Sequence, residues 1–251
     1  PNAQGIDACD PDIISYYEKM KYWNMVLITH VGEEKAVEAI NGQEFGNPLR
    51  FRVPLEMGVP VIMAHVASLG KNIQLSDEIK RRLDSGKLDL TKKEGQRIYC
   101  DDLNSAGKRG SSSWINNFDL FLRLMKQEKY KGILYGEISA ITQANRLSVP
   151  LIELIRHRDL HDRLINGSDY PLPGLNVVIR TKKLMQEGFI TKQEIKTLNE
   201  IYRVNPLLFD FVVKRTIRLP ETGGSLPSTI FTGHPGFTEL ENAWFDQQSI
   251  Q

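Results

Sequence analysis

Cysteine is nearly absent from this 251-residue chain: there are two, Cys9 and Cys100, far apart and without CxxC spacing. Such a pair suggests neither a disulfide framework nor a thiolate zinc site, so reduced thiols in a cytoplasmic protein are the expectation. Long apolar runs are missing too. No stretch approaches the ~18 to 20 residues that a membrane span needs, and acids and polar groups occupy the first thirty residues, where a signal peptide would need an apolar core. Nor does one sign of charge dominate. Thirty-two basic against 31 acidic side chains leave +1 with no basic block, which argues against a nucleic-acid partner and for a small molecule. There is no repeat of fixed period, and no GxGxxG follows a strand-like run. The chain opens on Pro1-Asn2-Ala3-Gln4-Gly5 without an initiator Met or a recognisable first element, so it reads as the middle of a longer polypeptide.

What is present is the makeup of an ordinary globular protein, 41% hydrophobic and 25% charged, enough for one large α/β domain or two small ones. Four apolar runs read as buried strands: residues 25–30, 59–65, 131–139 and 163–167. Helical patterns lie between them. Asp10-Pro11 opens one, with Ile13, Tyr17, Met20 and Trp23 recurring at spacings of four, three and three. Asn47-Pro48 opens another, closed by Gly58. Residues 114–125 carry a strong amphipathic stripe that includes Trp114, Phe118, Phe121 and Leu122. Residues 149–155 form a further helix that continues into the charged stretch 156–162. After residue 171, a helix over 177–185, a Thr191-x-x-Glu194 capping box and Asn205-Pro206 announce three more. Residues 67–113 read as a loop insertion with one short helix around 75–83, and residues 220–251 as an irregular tail. Alternating strands and helices imply βαβ units and a parallel sheet covered on both faces. With no glycine fingerprint for an open doubly wound sheet, a barrel is favoured.

Three of the strand-like runs end on ligand-type side chains: His30, His65 and, within Asn166-Gly167-Ser168-Asp169-Tyr170-Pro171, Asp169. A (β/α) barrel puts its active site at these strand ends. Imidazole and carboxylate are the donors that zinc and similar divalent ions take outside thiolate sites, and a catalytic ion needs about three protein ligands plus water. A single strand-end histidine is ordinarily a hydrogen-bonded structural residue; three equivalent positions shift the balance toward a site. Glu137 ends the third run in the same way and is a candidate substrate contact, against the alternative of a rim ion pair with Arg146.

Other histidines carry less. His157 and His161 stand four apart on a stretch charged throughout and read as structural. The kinase-like His157-Arg158-Asp159-Leu160 fails, because Leu164 stands where that loop needs asparagine. His234 is explained by turn chemistry, and Lys80-Arg81-Arg82 by a solvated helix face. Lys71, Lys108 and Arg109 could attract an acidic substrate, but surface solvation is the better explanation of them.

On the residues 27–32, 61–65 and 166–171, with Asn205-Pro206-Leu207-Leu208-Phe209 and the approach Asp7-Ala8-Cys9-Asp10-Pro11, the chain resembles the amidohydrolase superfamily, in its amidohydrolase-related branch of metal-dependent hydrolases and decarboxylases. The resemblance implies a (β/α)8 TIM barrel of which residues 1–219 supply strands five to eight. It makes His30 a metal ligand, His65 a second-metal ligand or a polarising group, and Asp169 a ligand and proton acceptor. The cofactor it implies is a divalent metal, zinc foremost, with manganese as an alternative. The family's first-strand His-x-His pair has no counterpart in these residues. The resemblance therefore implies that the other barrel half comes from the same polypeptide or another chain, and that 25–29 would form an exposed strand edge. A homo-oligomer is the further possibility. Three functions follow: a metal-dependent hydrolase of a small organic molecule, a non-oxidative decarboxylase of a small acid, and a degenerate barrel that binds without turnover.

Overall fold

The computed structural model describes residues 1–232 apart from 36–37, 40–41, 106–109, 111–112, 148 and 176. Lys108, Arg109 and His234 thus lie outside the described residues. The chain divides into two compact units, one of Pro1–Gly136 and one that begins at Glu137.

In the first unit, local signals set the helix starts. Asp10 accepts the Asp12 N–H at 2.8 Å and opens a 3-10 turn, Pro11–Ile13, that runs into α1 (Ile14–Tyr22). Asn47 accepts the Leu49 N–H at 3.0 Å, and Pro48 needs no partner for a nitrogen that would be orphaned anyway. The turn Pro48–Phe51 continues as α2 (Arg52–Glu56), and Gly58 at φ +83 supplies the left-handed exit into the next strand. β1 (Leu27–His30) and β2 (Val61–Ala64) pair in parallel, Leu27 against Val61 through His30 against Ala64. β2 pairs in parallel on its other side with the chain at Leu134–Gly136. Val61 and Met63 are fully buried, whereas Ile28 on β1, the end strand of the order, is 69% exposed. Beside it runs a cleft of about 640 Å³ lined by Ile6, Tyr16, Leu27 and Ile28, so the exposed edge expected around residues 25–29 is present.

Residues 67–113 are more than a loop. They hold β3 (Lys71–Ile73), α3 (Asp77–Asp84) and α4 (Lys93–Asn104), and β3 pairs antiparallel with β4 (Trp114–Asn116). The buried face of α4 mixes Tyr99, Cys100 and Leu103 with Gly95 and Gln96, which hides its apolar period. Gly95 is there for space, since a Cβ would lie 1.9 Å from the Asp89 carbonyl oxygen, and Gln96 is buried because its amide donates to the Leu90 carbonyl at 2.8 Å. The expected helix over 114–125 is also shorter. α5 (Asn117–Met125) buries Phe118, Leu120, Phe121 and Leu124, but Trp114 belongs to β4 and is 44% exposed rather than core.

The larger correction concerns the cysteines. Cys9 and Cys100 are not reduced thiols but a disulfide, which ties the segment before α1 to α4 across 91 residues of sequence. Structural disulfides are rare where glutathione keeps thiols reduced, so a cytoplasmic placement no longer has free cysteines behind it. Among the described residues no helix is long and apolar enough to cross a membrane.

β5 (Leu134–Glu137) ends on the first residue of the second unit. Just beyond it the Ile138 N–H donates to the Ile165 carbonyl of β6 (Leu164–Ile165) at 2.9 Å, giving four strands in the order β1-β2-β5-β6. The chain is therefore a mixed α/β protein with a parallel four-stranded sheet whose strands follow chain order. β6 is shorter than the run 163–167 suggests, and on its far side the Asn166 N–H donates to the Ile230 carbonyl at 3.1 Å. Part of the expected tail is thus ordered, a 3-10 turn Ser228–Phe231 that packs against β6 with Ile230 buried.

Of the second unit's helices, α6 (Val149–Arg156) stops before the charged stretch, which folds as a separate 3-10 segment, Arg158–Arg163. α7 (Thr181–Gln186) is shorter than the helix expected over 177–185. α8 (Lys192–Val204) starts in a complete capping box between Thr191 and Glu194. α9 (Pro206–Thr216) starts at Asn205, which accepts the Leu208 N–H at 3.0 Å.

Candidate functional site

In the first unit, parallel register brings two of the expected residues together. His30 is the last residue of β1 and His65 directly follows β2. Because His30 is paired with Ala64, the two rings meet edge to face with centroids 5.1 Å apart. His30 Nε2 lies 3.6 Å from a carboxylate oxygen of Glu34. The backbone after each histidine is fixed to the other's turn: Glu33 N–H donates to the Leu69 carbonyl at 2.9 Å. Gly32, at φ +98, leaves no room for a Cβ, which would sit 2.9 Å from that same oxygen. His65, Val66 and Ala67 all adopt left-handed φ, at +59, +46 and +51. For a β-branched residue such as Val66 this is a costly conformation, of the kind that surrounding structure must impose. Val66 and Ala67 are fully buried, and the turn lies under α5.

In the second unit, Glu137 and Asp169 are served by neighbouring turns of one short segment. Ser139 Oγ donates to Glu137 Oε2 at 2.7 Å, and Gln143 Nε2 donates to Asp169 Oδ2 at 2.9 Å. Asp169 also has φ +56, a conformation that aspartate tolerates better than most residues. A Cβ at Gly167 would lie 2.2 Å from Glu137 Oε1, so any side chain there would displace the Glu137 carboxylate. Its carbonyl accepts from Lys214 Nζ at 2.6 Å, and Lys214 also donates to Asp210 Oδ2 at 2.6 Å. Both members of this ion pair are almost wholly inaccessible. Burial, aided by the negative charges of Glu137 and Asp169, raises the Asp210 pKa from 3.8 to about 6 despite the adjacent ammonium. Burial likewise pulls Lys214 below its ordinary value, against the pull of Asp210, Glu137 and Asp169.

Sequence reading did not single out Lys214 and Asp210. The available signal was an Asp and a Lys four apart in a helix whose residues 206–213 are otherwise apolar, a spacing that places them on one face. Two other histidines lie among the described residues. His161 Nε2 lies 2.8 Å from the Leu154 carbonyl, and His157 stands between Glu153 at 3.7 Å and Asp159 at 3.5 Å.

Among the described residues, one group of three metal-ligand atoms gathers within 4.8 Å: Asp7, Cys9 and Cys100. It offers no thiolates, because its two sulfurs are bonded to each other. His30 and His65 bring together two imidazoles, a donor type that divalent ions accept. Two imidazoles ligating one tetrahedral ion at about 2.1 Å need their centroids about 5 Å apart, close to the separation found.

A scan against protein-family models finds no match, and neither a curated protein nor a solved structure matches the chain.

Proposed function

We propose that the chain is part of a metal-dependent hydrolase of the amidohydrolase type, with its sheet belonging to a (β/α)8 barrel. The observation that carries this reading is the His30–His65 pair, held at the ends of adjacent parallel strands at a spacing suited to a shared ion. His30 and His65 would hold a divalent ion, zinc foremost, and the sequence pattern adds Asp169 as ligand and proton acceptor. Such an ion supplies Lewis acidity and lowers the pKa of a bound water to about 7. Strand order supports the barrel: parallel strands that follow chain order suit a closed sheet, whereas a doubly wound sheet reverses direction at a switch point. The strained turn at His65 supports it as well, since conformations of this cost persist where function needs them. Glu137, oriented by Ser139, takes the role of a contact to a small organic substrate.

Elemental analysis of protein purified without chelators tests the reading. A near-stoichiometric divalent metal is expected in the wild-type protein, and strongly reduced content in His30→Ala, His65→Ala and Asp169→Ala variants that still fold. Wild-type protein that carries no metal and takes up neither zinc nor manganese in calorimetric titration would sink it. Measuring carbon dioxide release beside hydrolysis over a panel of acids, lactones and amides separates a hydrolase from a decarboxylase.

A further inference from the structure

The disulfide between Cys9 and Cys100 is electrostatically lopsided. On the Cys9 side stands Arg50, a fully buried guanidinium whose Nη1 lies 3.3 Å from Cys9 Sγ. The same group pairs with the Asp7 carboxylate, while Nη2 donates to Asn104 Oδ1 at 2.6 Å and Nε to the Glu44 carbonyl at 2.9 Å, so the cation is held in place. On the Cys100 side stands a negative charge instead, with Asp7 Oδ2 3.9 Å from Cys100 Sγ. A disulfide sulfur has no proton to donate, so that contact is an anion facing sulfur. Both cysteines are buried, Cys9 wholly and Cys100 at 5% exposure.

Thiol–disulfide exchange goes fastest when the expelled sulfur is the better-stabilised thiolate. Here a thiolate on Cys9 would be met by a guanidinium, and one on Cys100 by a carboxylate. We propose that Cys100 is a thiolation site, and that Cys9 with Arg50 is its leaving-group pocket. A small monothiol such as glutathione, as thiolate, attacks Cys100 Sγ. The new S–S bond forms there as the Cys9–Cys100 bond breaks, and the electron pair passes to Cys9 Sγ beside Arg50. A second molecule of the thiol then attacks the mixed disulfide, releasing the oxidised dimer of the small thiol and leaving both cysteines reduced. The first step marks α4 and frees the segment before α1 from its covalent tie to that helix. This makes the tie responsive to the thiol poise of its surroundings.

Incubation of the native protein with glutathione, followed by acid quench, alkylation and peptide mass mapping, reads the direction of exchange. Glutathione on Cys100 with the alkylating label on Cys9 is expected, exceeding the reverse pattern by about tenfold or more. Equal labelling, glutathione mainly on Cys9, or exchange seen only in denaturant would overturn the proposal, the last marking a purely structural bond. A second measurement uses the single variants. In Cys100→Ser the freed Cys9 should be alkylated with a pH midpoint about one unit below that of Cys100 in Cys9→Ser. The opposite order, or coincident midpoints, would also overturn it.

Discussion

Arg50 in the first unit and Lys214 in the second are both long cations buried almost completely, and the two solve the problem differently. In the first, Arg50 spreads its planar donors over Asp7, Asn104 and the Glu44 carbonyl and lies against Cys9 Sγ and the Phe45 ring. In the second, Lys214 has one carboxylate and one carbonyl, and the second oxygen of its partner, Asp210 Oδ1, is buried with no hydrogen-bond donor among the described residues. A guanidinium presents several fixed donors to a fold that can supply acceptors around it, whereas an ammonium concentrates its charge at one point. The Arg50 cluster therefore reads as a lock. The Lys214 pair leaves a carboxylate with a raised pKa under the further charges of Glu137 and Asp169, the kind of unsettled electrostatics that gathers at functional sites.

The sharpest way to break the contrast is Lys214→Met. It strands Asp210 in a buried setting, and a loss of about 3–5 kcal/mol in chemical denaturation is expected. The double variant Lys214→Met/Asp210→Leu should recover most of it, because the pair is then replaced by apolar volume rather than halved. Recovery of less than half would mean that the Lys214 bond to the Gly167 carbonyl carries the larger share.

On the first unit's side, replacing both Cys9 and Cys100 with alanine should cost about 3 kcal/mol, since the bond closes a long stretch of chain. The helices and sheet should persist in circular dichroism, for the Arg50 bonds to Asn104 and Glu44 do not depend on the sulfurs.

A smaller effect sharpens the comparison by pH. Asp210 titrates at 3.8 when unfolded and at about 6 in the fold, so the native state holds its proton more tightly. The stability this gives is fully present below pH 3.8 and is lost as pH rises through about 6, on the order of 2 kcal/mol. Asp210→Asn should flatten that part of a stability–pH curve. An unchanged curve would assign the slope to other groups.

The residues that sequence reading proposed for the site fared unevenly, for reasons that lie in reach. His30 and His65 were legible as strand-end histidines, but their contact depends on a parallel register between segments more than thirty residues apart. Glu137 was legible as a strand-end carboxylate and ends β5, whereas Asp169, expected at a strand end, lies four residues past β6; the Ser139, Gln143 and Gly167 contacts around the two were not legible. The left-handed run at His65–Ala67 has no composition signal at all, since none of its residues is glycine or asparagine.

By itself the sequence determined what a few neighbouring residues can settle. Asp10, Asn47, Thr191 with Glu194, and Asn205 start their helices through bonds that span two or three residues, and the apolar runs become strands in chain order. Tertiary structure alone decided the Cys9–Cys100 bond, the β3–β4 pairing and the burial of Lys214 with Asp210. A cap gains its hydrogen bond as soon as one turn forms. A sulfur, a three-residue strand or an ammonium finds its partner only after the chain between them has closed, and nothing local to either one states where that closure will be.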